Sequence, residues 1–196
     1  MSSLQEQIKI LEDDLSSDEL KISPYHDMPF AIFRYDPKLE FKMRKEIIFL
    51  SNRLKDNGKV VHIISLADIF YDAIEKEGGK DLIIKEEKEF GFLMAQRSLN
   101  TIFSDPEYQP IPDVLEKKLT GMDPKKEIVF LTRAGIFAPD SYRISVLLDE
   151  MHGRTYIPII LFYPGIVESQ AGLKFMNIPR RVALGSYHIK IYNRNE

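Results

Sequence analysis

Five side chains stand where this 196-residue sequence could do chemistry: Arg34, Asp36, Arg133, Arg143 and Tyr163. Arg34 and Asp36 lie at the end of the apolar run that begins at Phe30, and Arg133 follows the run Ile128-Val129-Phe130-Leu131. Tyr163 follows the run from Ile157 to Phe162, and Arg143 lies early in the helical pattern between those two runs. If the runs are parallel strands, their ends gather at one sheet edge, where α/β proteins meet their ligands. Ser65, Asp68, Thr132 and Gly165 fall at the same edge. Arginines there hold a phosphate or a carboxylate through forked hydrogen bonds. The alternative is internal: an Arg34–Asp36 or Arg133–Asp68 ion pair that only ties loops together. The residues leave both readings open.

Alternating strands and helices must position these groups. Phe30 to Tyr35 reads as the first strand. Asp36-Pro37 then starts a helix as N-cap and first residue. That helix shows Leu39, Met43, Ile47, Leu50 and Leu54 on one face and ends at Asn57-Gly58. Val60 to Leu66 is the second strand. Ser65 and Asp68 open a helix with Ile69, Phe70, Ala73 and Ile74 inward, stopped by Gly78-Gly79. Residues 81–104 form a Glu/Lys-rich helical segment. Its expected buried side is Phe90, Leu93, Met94, Leu99, Ile102 and Phe103, with Gly91 as a point of interruption. Asp113 is placed to cap a short helix carrying Val114, Leu115 and Leu119.

The stretch Glu127–Gly165 predicts a βαβ unit. Its helix carries Tyr142, Ser145, Leu148 and Met151, with Ile144 and Leu147 widening the stripe, and its second strand ends in a Tyr163-Pro164-Gly165 turn. Both strands are apolar almost throughout, as in a parallel sheet covered on both faces. A long connection follows, in which Leu173 to Met176 reads as a short strand or a turn of helix. Tyr187 to Tyr192 alternates like an edge strand. At the N-terminus, a Ser3/Glu6 capping box precedes a narrow Leu4, Ile8, Leu11, Leu15 stripe, which packs on the domain's flank or on another chain.

These elements predict a three-layer α/β domain with a mainly parallel five-stranded sheet, over residues 25–196. Residues 1–24 are a helix and connector. The preferred strand order is that of the P-loop ATPase core, with the first strand between the fourth and fifth; a Rossmann-like order is the alternative.

Motifs exclude more than they assign. A phosphate loop needs G-x-x-x-x-G-K-[ST] after the first strand, because glycine amides wrap the phosphates and the lysine reaches them. Arg34-Tyr35-Asp36-Pro37 stands there instead. Gly78-Gly79-Lys80 follows a helix and lacks the hydroxyl residue. No nucleophile elbow, H-E-x-x-H or G-x-G-x-x-G after a strand occurs. His62 reads as a hydrogen-bonded strand histidine, since no spaced ligand set accompanies it. No metal, cofactor or catalytic residue is expected.

The net charge of −3 does not advertise nucleic-acid binding. A local basic patch from Arg180, Arg181, Lys190 and Arg194 is the exception, against the plainer reading of solvated charge. The chain has no cysteine, which excludes disulfides and cysteine-based zinc sites. No apolar run reaches the roughly 18 residues of a membrane span. The N-terminus lacks signal-peptide regions. A soluble, cytoplasmic protein is expected.

FAIFRYDP (30–37), VFLTRAG (129–135), YRISVLLDEMHGRT (142–155), PIILFYPG (158–165), LKFM (173–176) and YHIKIY (187–192) together resemble the BrxB family of bacteriophage exclusion (BREX) systems, formerly a domain of unknown function. The resemblance spans roughly residues 25–193. It implies a small cytoplasmic component of an antiviral system, encoded beside a methyltransferase, a large ATPase and a PglZ-type alkaline-phosphatase-like protein. It also implies a scaffold or adaptor role, with the PglZ-type protein as direct partner. It transfers no catalytic residue. Two functions stand against each other: a non-catalytic adaptor, predicting an exposed apolar patch; and a nucleotide- or nucleic-acid-binding protein, or a cryptic phosphotransfer or hydrolase enzyme, predicting that Arg34, Arg133 and Arg143 converge.

Overall fold

The computed structural model describes residues 4–17, 21–22, 29–169, 172–178 and 189–192. Five parallel strands form its spine: β1 (Phe30–Tyr35), β2 (Val60–Ser65), β3 (Glu127–Thr132), β4 (Ile159–Ser169) and, after the short β5 (Gly172–Phe175), β6 (Lys190–Tyr192). The order is β2-β3-β4-β1-β6, so the first strand lies between the fourth and the last, and β6 forms an edge. This is the preferred, ATPase-like order. β5 adds a sixth strand, antiparallel to the outer end of β4.

Each sheet face carries its own core. Alternate residues of one strand point to opposite faces. Thus Ala31, Phe33, Ile128, Phe130, Ile160 and Phe162 pack under α1 (Leu4–Ser16) and α2 (Glu40–Asp56). Phe30, Ile32, Val129, Leu131, Ile159 and Leu161 pack under the other layer. That layer contains α3 (Leu66–Lys76), α5 (Phe92–Ser104) and α6 (Ile111–Leu119), with α4 (Lys80–Phe90) outside it. Phe70, Phe103, Phe137 and Tyr142 form a chain of rings there, with successive centroids 4.9, 5.6 and 5.2 Å apart.

The narrow N-terminal stripe belongs to the flank. Ile8, Leu11 and Leu15 are buried with α2. Glu12 pairs with Arg53 at 2.8 Å. Asp14 accepts from Lys190 at 2.5 Å and from the Tyr192 hydroxyl at 2.6 Å, tying α1 to the edge strand. Ser3, Arg180, Arg181, Tyr187, His188 and Arg194 lie outside the described residues.

Four expectations need correction. The βαβ helix is not a regular α-helix: the crossover is a 3-10 turn at Ala134–Phe137, another at Ile144–Val146, and one α-turn, α7 (Leu147–Glu150). The stretch is buried as its apolar pattern requires, at Tyr142, Ile144, Leu147, Leu148 and Met151; Tyr142 and Ile144, two residues apart, do not share one face of a 3.6-residue helix. Second, β4 does not turn at Tyr163-Pro164-Gly165; it runs on to Ser169 and pairs with β5. Gly165 makes this pairing possible, since a Cβ there would lie 2.5 Å from the Lys174 carbonyl oxygen.

Third, Asp113 does not cap α6. Pro110 holds the cap position, and Asp113 sits in the first turn, paired with Arg154 at 2.5 Å. Fourth, Phe90, Leu93 and Met94 are exposed rather than buried. Gly91, at φ 88°, breaks the segment into α4 and α5, so the two helices no longer share one inward face. Only Ala95, Leu99, Ile102 and Phe103 of α5 reach the core. Among the described residues no helix is long and apolar enough to cross a membrane.

Candidate functional site

At the carboxyl edge the loops after β1 and β3 frame a cavity of about 280 Å³. Pro37, Glu40 and Arg44 line one side, and Arg133, Gly135 and Ile136 the other; Ala67 and Met176 complete it. Local sequence builds both walls. Asp36 accepts from the Lys38 amide at 2.9 Å, which with Pro37 sets the 3-10 turn leading into α2. α2 then places Glu40 and Arg44 one turn apart, 2.9 Å from each other. Arg133 leaves β3 in the left-handed region, at φ 59°. This is uncommon for a residue with a Cβ, and it brings the side chain back toward α3.

Both cations are already partnered. Arg133 donates to Asp68 at 3.1 Å and to Ser65 at 3.3 Å. Of the two internal pairs expected from sequence, the Arg133–Asp68 pair is therefore made. Ser65 is also the N-cap of α3, accepting from the Asp68 amide at 3.2 Å. Arg44 is held by Glu40, which also accepts from the buried Tyr35 hydroxyl. Burial first, and Glu40 second, hold the Tyr35 phenol well above its ordinary pKa. A carboxylate in the wall opposes a bound phosphate, and Gly135 is the one glycine of the lining, where a phosphate loop has several.

The remaining candidates do not converge on this cavity. Arg34 is 1% exposed, inside β1, with Tyr163 as its register partner on β4. Tyr163 is also buried, its ring 5.4 Å from that of Phe175. Arg34 was expected near the end of the first strand, and Tyr163 just past the end of its strand. They lie within strands because β1 and β4 pair through Tyr35 and Pro164. Arg143 is exposed on the crossover before the second 3-10 turn, away from the cavity lining. Of Arg34, Arg133 and Arg143, Arg133 is the one that lines this cavity. Thr132 bonds the Ile64 carbonyl at 3.3 Å.

Sequence reading missed Glu40, Arg44 and Met176. The four-residue Glu40–Arg44 spacing just after Asp36-Pro37 was the available signal. It looks the same as any exposed helix pair. His62 is half-buried and bonded to Glu127 at 3.0 Å. The Asp123 amide first, and His62 second, hold the Glu127 carboxyl below its ordinary range. Among the described residues no group of three or more His, Cys, Asp or Glu could hold a metal ion.

Fold and site together define a three-layer α/β protein of ATPase-like strand order with no phosphate loop. Comparison with known proteins takes this a step further. The family model described as "BREX protein BrxB" matches residues 62–184, and the chain belongs to the BrxB family. A BREX protein BrxB from Bacillus cereus (strain H3081.97) is 28% identical over 146 residues, covering 71% of this chain and 72% of the relative. No solved structure matches.

Proposed function

We propose that the protein is a non-catalytic subunit of a BREX-type antiphage defence system and works by docking other defence subunits, with the PglZ-type protein as its direct partner. Family membership supports the BREX setting. The observation that carries the non-catalytic reading is the state of the carboxyl edge. Where an ATPase-like sheet would hold phosphate, Arg44 and Arg133 are paired with Glu40 and Asp68. The exposed apolar side chains on the outer helices fit a protein that meets partners across its surface. Affinity purification of the tagged chain at native expression tests this reading. Retrieval of other BREX subunits is expected, the PglZ-type protein foremost, and retrieval of none defeats it.

A second reading rests on the cavity itself. Its two arginines would hold a small anion or nucleotide if Glu40 and Asp68 released them. A thermal-shift panel of nucleotides and DNA, with Arg133→Ala as control, decides it. A shift that is lost in the variant supports the site, and no shift in the wild type removes it.

A further inference from the structure

Two surfaces of this chain complement each other. The first is a cleft of about 420 Å³ between α4 and α5. Leu82, Ile83, Phe90, Ile102 and Tyr108 line it, and Glu77, Glu86, Glu89 and Lys85 surround it. Lys85 is 3.9 Å from Glu89, an exposed pair of little strength. Glu86 and Glu77 accept only neutral hydrogen bonds, from Ser98 at 2.6 Å and Gln109 at 3.0 Å. The cleft is therefore apolar inside and negative at its rim. α4 has no buried residue, and Phe90 is 69% exposed.

The second surface is the outer face of α2. Phe41, Ile48 and Phe49 are exposed there, Phe41 at 77%. They lie on the side of the helix opposite Met43, Ile47, Leu50 and Leu54, which face the core. Lys42, Arg44 and Lys45 are exposed among them. Glu46 is half-buried and accepts from Gln5 of α1 at 2.7 Å, so no exposed carboxylate interrupts this face until Asp56. The Arg44 guanidinium lies 5.3 Å from the centre of the Phe41 ring. Arg44 is paired with Glu40, so Lys42 and Lys45 give this apolar face its positive charge. α2 covers one side of the sheet, and α5 packs on the other. One copy cannot bring the two surfaces together.

We propose that the α2 face of one copy docks into the α4–α5 cleft of a second copy, so that the chain assembles head to tail. Phe41 and its apolar neighbours enter the cleft, and Lys42 and Lys45 meet Glu86 and Glu89. The two surfaces differ and lie on opposite layers, so the contact is heterologous and repeats instead of closing at two copies. Charge complementarity sets the partner and speeds the encounter, and salt weakens it. This assembly does not depend on the docking of other defence subunits.

Sedimentation of the full-length chain tests it. The weight-average mass of the wild type is expected to rise with concentration past two copies and to fall with added salt. Phe90→Asp removes the cleft and keeps the α2 face; Phe41→Asp does the reverse. Each variant alone is expected to be monomeric, with an unchanged urea midpoint. An equal mixture is expected to form a species that stops at two copies. Lys42→Glu with Lys45→Glu should weaken assembly at least tenfold, and Glu86→Lys with Glu89→Lys in the same chain should restore it. Monomeric wild type at every concentration overturns the proposal. So does a mixture that stays monomeric, or either variant alone forming a dimer, which would mean a like-with-like contact.

Discussion

At the carboxyl edge of the sheet Arg133 and Arg44 are each held by a carboxylate, whereas the α4–α5 hairpin leaves Phe90 and Leu93 in water. Both regions hold residues that sequence reading marks as notable, yet the assignments exchange. Of the two readings open for Arg133, the ion pair with Asp68 is made. Phe90 and Leu93 of the hairpin look like core and turn out to be surface. Loops from neighbouring strands meet at that edge, which is how Arg133 reaches Asp68 and Ser65. A helix set off by a glycine loses the core it would have faced. Free surface is therefore better sought on the hairpin than at the sheet edge.

Substitutions sharpen this contrast. The largest effect is expected where the hairpin is seated. Phe103→Ala empties a fully buried position, tilted against Phe70 and edge-to-face with Phe137, and should cost about 3–5 kcal/mol in urea unfolding. Next comes Gly165→Ala at the sheet edge, where the new methyl meets backbone at 2.5 Å. A loss of about 1–3 kcal/mol is expected; a neutral result would mean that β5 moves away freely. Glu40→Leu leaves the buried Tyr35 hydroxyl without its acceptor, for about 1–3 kcal/mol.

Asp68→Ala breaks only an exposed ion pair, at about 0–1 kcal/mol, and an effect well above that would show the pair organising the whole edge. The smallest change in stability is expected on the hairpin. Leu93→Asp alters an exposed side chain and should move unfolding by no more than about 0.5 kcal/mol. A large loss there would mean that the helix is packed after all.

Alkaline unfolding provides a separate check. Burial is the main cause raising the pKa of Tyr35, Tyr142 and Tyr192, with carboxylates Glu40, Glu150 and Asp14 adding to it. A folded pKa above the unfolded value means the contribution is complete below about pH 10, the ordinary tyrosine value. It is lost as pH rises further, because the unfolded chain then releases protons that the folded chain keeps. Ultraviolet titration should show these phenols ionising together with unfolding, and a Tyr35→Phe variant should release fewer protons in that step.

The sequence by itself indicated where the main strands lie and their parallel character; it preferred the first strand between the fourth and the last but left a Rossmann-like order open, and the structure chose the former. The sequence also determined that the α1 stripe is apolar and that no phosphate loop follows β1. These are local properties: continuous apolar runs, an Asp-Pro start, an Asn-Gly stop and a missing motif. Only the tertiary structure decided which layer each face met. Burial of Arg34 and Tyr163 follows from β4 running past its expected end and pairing with the whole of β1, and exposure of Phe90 follows from the turn at Gly91. The Arg133 pairing could be named from sequence but not chosen, because Ser65 and Asp68 lie 68 and 65 residues away along the chain. Such long-range meetings depend on sheet register and helix packing, which no short window of residues contains.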